Sequence, residues 1–313
     1  MSASQRIDAV DVARGIALVA MAAYHFTWDL AYFGVVAPST PFSPPMRLAS
    51  HVIASVFLGL AGLSLALAYA PGFRPRPFGL RLLKIGAAAA LVSAATYAVA
   101  PETPIFFGIL HCLFVASLAS VPFLIAPGAL STGAALATGV VLVALPLAYA
   151  SPAFDPPWWV WLGLGVHDPA TLDWRPLAPW GGITLIGLAL TRWAPAPPAW
   201  RAGAAPLRGL AFAGRHSLAV YLIHQPILIG LLYGALQVSG YSERLSVETY
   251  AKACRPACVE AGGEIEPCER ACACVVRDAS SAGLAGRLAS RSISKAERGR
   301  IAGIVDACGA QAR

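Results

Sequence analysis

Charge is what this sequence has least of. Only 12% of its 313 residues are Asp, Glu, Lys or Arg, against about a quarter in an ordinary soluble chain. Hydrophobic residues reach 57%, and the mean hydropathy is +0.64. Such a composition excludes a disordered chain, a nucleic-acid-binding module and a polar secreted domain. The net charge is +7, but with so few charges the place of each one matters more than the sum. No repeat of fixed period and no long low-complexity tract is present. Cysteine is nearly missing from the first 243 residues: six of the seven fall after that point. Charge density also more than doubles there, with 11 basic and 8 acidic residues in 244–313 against 12 and 8 in 1–243. The reading is an all-α protein with two regions. Residues 1–243 form a polytopic membrane helix bundle, and 244–313 a small Cys-rich, mainly helical tail. Residues 195–206, PAPPAWRAGAAP, form a Pro/Ala-rich connector.

A helix crosses the hydrocarbon layer with roughly 20 apolar residues. Seven windows meet that length, at about 12–32, 49–69, 82–100, 106–126, 131–150, 176–193 and 214–236. They lack barrel alternation, so helices are the expected solution for the backbone in lipid. The first window is too long for a signal-peptide core, is flanked by Asp8 and Asp11, and has no cleavage site after it. The stretch FDPPWWVWLGLGVH (154–167) is too short and proline-broken to span, and suits the interface that Trp favours.

Basic residues set the expected orientation. With the N-terminus in the cytoplasm, the inner side receives Arg6, Arg14, Arg74, Arg76, Arg81, Lys84, Arg192, Arg201, Arg208 and Arg215, while the outer connections receive only Arg47 and Arg175. Seven spans then place the tail outside. In this frame His25, His51 and His111 lie on three helices at similar depth in the outer half. His224 lies near the middle of the last span, followed by Gln225 and Pro226, where the proline is expected to kink the helix.

The first span is the most informative. Arg14 and His25 are eleven residues apart and share a face. His25 and Asp29 stand at i,i+4, Asp11 and Arg14 at i,i+3. Ionisable groups in a bilayer cost several kcal/mol and belong against protein or a wet cavity. A carboxylate beside a histidine fixes its tautomer and stabilises its cation. Plainer roles exist for each residue. Asp11 and Arg14 would serve as a snorkelling helix end, the histidines as interhelical hydrogen-bond formers, and the basic loops as topology signals alone. His167 and His216 fall near the surface and are not expected to act.

Three runs carry a family resemblance. RIDAVDVARGIALVAMAAYHFTWDLAYFG (6–34), FFGILHCLFVASLASVPF (106–123) and FAGRHSLAVYLIHQPILIGLLYG (212–234) resemble the heparan-α-glucosaminide N-acetyltransferase-like catalytic domain, in its bacterial branch. The Arg-Gly start and the histidine late in the first helix are also similar to the wider group of membrane acyltransferases that modify glycans. The resemblance implies a multi-span enzyme that takes acetyl from acetyl-CoA, as co-substrate, on the cytoplasmic side and delivers it to an acceptor outside. The polar pattern after the first helix departs from the eukaryotic motif, so the family's catalytic histidine maps to no single position here. Heparan is not a routine bacterial substrate, so the acceptor class widens to a glycan or amino sugar.

On this reading His25, oriented by Asp29, acts as general base toward the acceptor or carries the acetyl group transiently. His111 or His51 would donate to the developing oxyanion or bind the acceptor. Arg14, Arg74, Arg76, Arg81, Lys84, Arg201 and Arg208 are available for the CoA phosphates. Trp158, Trp159, Trp161, Asp168, Asp173 and Trp174 in the outer loop would suit a sugar, although a Trp-rich interface belt explains the aromatics equally well.

In the tail, Cys254, Cys258, Cys268, Cys272, Cys274 and Cys308 include two Cys-x3-Cys pairs, each on one helix face. Ser246 is expected to cap a helix through about 261, Pro267 to open a second at its first position, and Ser294 with Glu297 to form a capping box for a third. Two antiparallel helices would permit Cys254–Cys272 and Cys258–Cys268, leaving Cys274–Cys308, among fifteen pairings open to six cysteines. Disulfides fit an oxidising compartment. A cytoplasmic metal-binding tail is the competing reading, but the tail has no histidine and no Cys-x2-Cys spacing, so no metal is expected. Cys112 reads as a buried small apolar group.

A proton-coupled transporter using the same histidines is the main alternative, although no repeated halves are visible. A scaffold or sensor working through its tail is a third. The expected setting is a bacterial inner membrane with the tail periplasmic. Expected partners are membrane lipid, a glycan or amino-sugar acceptor and a second copy of the chain, without nucleic acid.

Overall fold

The computed structural model describes residues 7–194, 200–289 and 293–312. Arg6 and the 195–199 part of the connector lie outside the described residues. The described residues are helical with no strand among them: α1 (Asp8–Tyr32), α2 (Pro44–Tyr69), α3 (Pro75–Val99), α4 (Ile109–Ala119), α5 (Val121–Ile125), α6 (Ala129–Ala148), α7 (Leu177–Trp193), α8 (Ala205–Arg215), α9 (Ser217–Val238), α10 (Tyr241–Glu260), α11 (Ile265–Ser281) and α12 (Lys295–Ala312).

Five of these, α1, α2, α3, α6 and α9, are long and apolar enough to cross a membrane. The other two expected windows are shorter as helices. The 106–126 window is divided at Ser120 into α4 and α5. Pro122 explains the break, since it has no N–H with which to continue the ladder. The 176–193 window is the 17-residue α7. Between α6 and α7 the chain makes only single 3-10 turns at Pro152–Phe154 and Val160–Leu162. Helix α9 runs through Pro226 as one element.

The chain divides into two compact units, Met1–His25 with Pro41–Gln225, and Phe26–Thr40 with Pro226–Arg313. The compositional step at 243/244 falls inside the second.

In the first unit α7 packs against both α2 and α6, and small residues set the approach. A Cβ on Gly62 would overlap the Thr184 carbonyl, and one on Gly187 would overlap the backbone of Gly59. Gly139 and Gly182 meet the same way between α6 and α7. In lipid there is no hydrophobic force between helices, so close backbone packing at small residues is what holds them. Leu65, Tyr69, Leu124, Ala135 and Leu188 fill one buried cluster of this unit, and Leu58, Phe107, Cys112 and Trp180 another. Helix α8 seats on the start of α1, with Gly214 against the Asp11 carbonyl and Gly15 against that of Leu210.

In the second unit disulfides join Cys254 to Cys272, Cys258 to Cys268 and Cys274 to Cys308. The first two staple α10 to α11, and the third ties α11 to α12 around Val275, Tyr250 and Ile304. Ser294 and Glu297 form the reciprocal capping box at the start of α12, at 3.2 and 2.8 Å. Two local expectations change. Ser246 lies inside α10, which begins at Tyr241, and its hydroxyl accepts the Ala289 N–H at 2.9 Å. Pro267 sits in the first turn of α11, which begins at Ile265.

Candidate functional site

His25 on α1 meets His224 on α9. Their rings lie 4.9 Å apart, tilted by 52°, and His25 Nδ1 is 3.2 Å from His224 Nε2. The same Nδ1 is 3.2 Å from Gln225 Oε1. His224 Nδ1 reaches back to the Tyr221 carbonyl at 2.6 Å. Leu218, Tyr221 and Leu222 pack on Ala88, Ala89 and Leu110, which seats this part of α9 against α3 and α4. His25 is half-buried, and so is His224.

His111 is bound differently. Its Nδ1 accepts the Gly108 N–H at 3.3 Å, so its Nε2 carries the proton. Nε2 then donates to Ser93 Oγ at 3.2 Å, whose hydroxyl donates to the Ile105 carbonyl at 2.6 Å. Both nitrogens are committed to holding the α3–α4 connection.

Asp173 and Arg175, from the loop before α7, link these groups electrostatically. The Asp173 carboxylate accepts the Ile109 N–H at 2.8 Å. A carboxylate is favoured there, where the first N–H groups of α4 have no partner in the helix. Its charge is felt at His25, His111 and Tyr221, and that of Arg175 at His25, His51 and Tyr221. Arg175 stands 4.8 Å over the Trp180 ring and donates to Ser50 and to the Trp174 carbonyl. His51 lies against the same Trp180 ring, centroids 5.4 Å apart.

Two cavities are lined by residues of the first unit. One, of about 580 Å³, is lined by Arg47, His51, Asp168, Trp174, Arg175 and Trp180 among others. The second, of about 790 Å³, lies at the start of α1 and is lined by Asp11, Arg14, Ser64, Arg74, Arg81 and Arg215 among others. Arg14 pairs with Asp11 at 2.9 Å and donates to Ser64 on α2. Arg81 points to Ser117 at 3.4 Å.

Residues 6–226 match the family model described as heparan-alpha-glucosaminide N-acetyltransferase, catalytic. The chain belongs to that family. Neither a curated protein nor a solved structure matches it. All six histidines and Gln225 fall within the acetyltransferase region, whereas every tail cysteine lies beyond it.

Within the acetyltransferase region the sequence-derived residues separate. Arg14, Arg74 and Arg81 share the larger cavity. Arg76, Lys84 and Arg201 are exposed, and Arg208 donates to the nearby Gly203 carbonyl at 2.6 Å. Asp168 lines the smaller cavity and accepts from Trp174 Nε1 at 3.1 Å. Trp158 and Trp159 are exposed, and the Trp158 carbonyl accepts from Trp161 Nε1. Asp173 serves α4 and the histidines. Asp29 is buried four residues beyond His25 on α1. In the tail, Cys274, Asp278 and Cys308 bring metal-capable atoms within 4.8 Å of one another, with the two sulfurs joined as a disulfide. Tyr221, Gln225 and Arg175 are site residues that the sequence alone does not single out. Gln225 carried a signal, since a polar amide beside a histidine in a membrane helix needs a partner.

Proposed function

We propose that the chain is a membrane acetyltransferase that moves an acetyl group from cytoplasmic acetyl-CoA to a glycan or amino-sugar acceptor on the opposite side. Family membership supplies the membrane acetyltransferase activity in general; donor, acceptor and sidedness are the proposal.

The observation that carries it is the layout of α1. A basic cavity surrounds Arg14, and His25 lies eleven residues further on, about 16 Å at the rise of an α-helix. An extended pantetheine arm covers such a distance. Arg14, Arg74, Arg81 and Arg215 would hold the nucleotide phosphates by charge-assisted hydrogen bonds, leaving the thioester near His25. The charged nucleotide stays on its own side and only the acetyl unit changes sides.

At that point His25 removes a proton from the acceptor amine or hydroxyl. The acceptor atom bonds to the acetyl carbon, the C–S bond breaks, and the departing CoA sulfur takes the proton from His25. Asp29 follows one turn on in the sequence of α1, and a carboxylate at that spacing would favour the histidine cation that forms between these steps. The cavity lined by His51, Asp168, Trp174 and Trp180 suits a sugar, whose C–H face lies on aromatic rings while its hydroxyls meet polar groups. The disulfide-bonded tail supports an oxidising setting for the C-terminal region, consistent with a periplasmic location.

The test is radiolabelled acetyl-CoA offered to membranes with and without the protein, followed by identification of the labelled product. Label should enter an acceptor only with the protein. His25→Ala should reduce the rate by roughly 10²–10⁴-fold, the worth of a general base. A folded His25→Ala protein that transfers label at the normal rate would contradict the assignment.

A further inference from the structure

The hydrogen bonds around His25 fix where its protons sit. The Tyr221 carbonyl can only accept, so His224 Nδ1, at 2.6 Å, carries a proton. A neutral His224 therefore presents a lone pair at Nε2. That lone pair faces His25 Nδ1 at 3.2 Å. The Gln225 Oε1 atom, also an acceptor, faces the same Nδ1 at 3.2 Å. Two acceptors converge on one nitrogen, so His25 Nδ1 must be the protonated one and Nε2 the one with the lone pair.

We propose that His224 and Gln225 are positioning residues that hold His25 as its Nδ1–H tautomer and so make Nε2 the atom that takes the acceptor's proton. This rests on the acetyltransferase reading for its consequence, though not for its geometry. The chain runs from the Tyr221 carbonyl through His224 to His25, a histidine doing what a buried carboxylate does in a Ser-His-Asp triad. It also accounts for the proton. When Nε2 takes a proton from the acceptor, the positive charge of His25 is shared along the Nδ1–H bond toward His224 Nε2. When the CoA sulfur leaves, the Nε2 proton goes to it and both imidazoles return to their starting state.

The arrangement explains why α9 carries His-Gln as adjacent residues. Neighbours on a helix lie about 100° apart, so the two side chains normally point to different places. Here a single nitrogen on α1 lies within reach of both. Other charges act on His25 as well. Asp173 and Arg175 reach it from the loop before α7. None of these supplies the Nδ1 acceptors named above.

The decisive experiment is nitrogen NMR of the full-length protein, labelled with 15N-histidine, in lipid nanodiscs at neutral pH. His25→Gln identifies the His25 signals by their loss. The proposal requires Nδ1 to be the protonated nitrogen and Nε2 the unprotonated one. A His25 protonated at Nε2 overturns it, whether or not the protein acetylates anything. Absence of transfer in the wild-type protein would instead remove the functional reading and leave the tautomer result standing. The second readout is kinetic. His224→Ala with Gln225→Ala should lower kcat about 10²-fold by releasing the tautomer, with the KM for acetyl-CoA within about twofold, because the basic cavity is untouched. An unchanged kcat in a doubly substituted protein that binds acetyl-CoA normally also overturns it. Should that protein not fold, the wild-type spectrum decides alone.

Discussion

The histidines of this chain differ by their hydrogen-bond partners. His111 uses both nitrogens to brace Gly108 and Ser93, whereas His25 concentrates its partners on Nδ1. Spacing along a helix cannot reveal that difference, because it depends on which helix arrives opposite. Outside the spans, His167 donates to Asp155 at 2.9 Å, and the same carboxylate accepts the Val166 N–H at 2.8 Å. The His167 hydrogen bond holds the Asp155 carboxyl below its ordinary value of 3.8. A depressed carboxyl contributes its stabilisation above the ordinary value and loses it as pH falls through the depressed one. The protection of the Val166 amide, its exchange rate relative to an unstructured chain at the same pH, should therefore hold at neutral pH and fall only below about pH 4. His167→Ala should move that onset upward. Protection at Val166 that is indifferent to acid would contradict the bond.

Among the helices, the seams between α2, α7 and α6 depend on glycine at particular turns. A Cβ on Gly62 would meet the Thr184 carbonyl and lie 2.8 Å from the Leu188 nitrogen, both backbone atoms that cannot swing aside. Gly62→Ala should cost about 1–3 kcal/mol, the usual price of overpacking, read as a lowered unfolding temperature in detergent. Gly79→Ala on α3, with nothing within 4 Å of the added carbon, should not lower it. Equal effects would show that the seam is looser than described. The long apolar windows for α1, α2, α3, α6 and α9 were legible in the sequence, since bilayer thickness dictates their length. The division of α4 from α5 was not read, although Pro122 announces it. Cys-x3-Cys spacing placed the tail cysteines on helix faces because i and i+4 always share one. Where Ser246 bonds depended on Ala289, far along the chain, and was not legible.

At the scale of the molecule, two features lie at different ends of one problem. The matched region holds the histidines and the basic cavity, and beyond it the disulfides tie α10, α11 and α12 together around the small buried cluster of Cys274, Val275 and Cys308. Small helical units need such staples because they bury too little surface to hold themselves. The candidate site itself was partly legible. Arg14, His25 and Asp29 stand out because charge is costly inside lipid. Tyr221 and Arg175 do not, because a tyrosine or a loop arginine is unremarkable until the fold brings it to a histidine.

Sealed vesicles of both orientations decide whether the acetyl group changes sides through this protein. They would carry the protein, membrane-impermeant radiolabelled acetyl-CoA on one side and an amino-sugar acceptor on the other. Label should reach the acceptor only when acetyl-CoA is on the face of the Arg14 cavity, and should be lost with His25→Ala. Transfer that requires donor and acceptor on the same face, or that ignores the substitution, would contradict it.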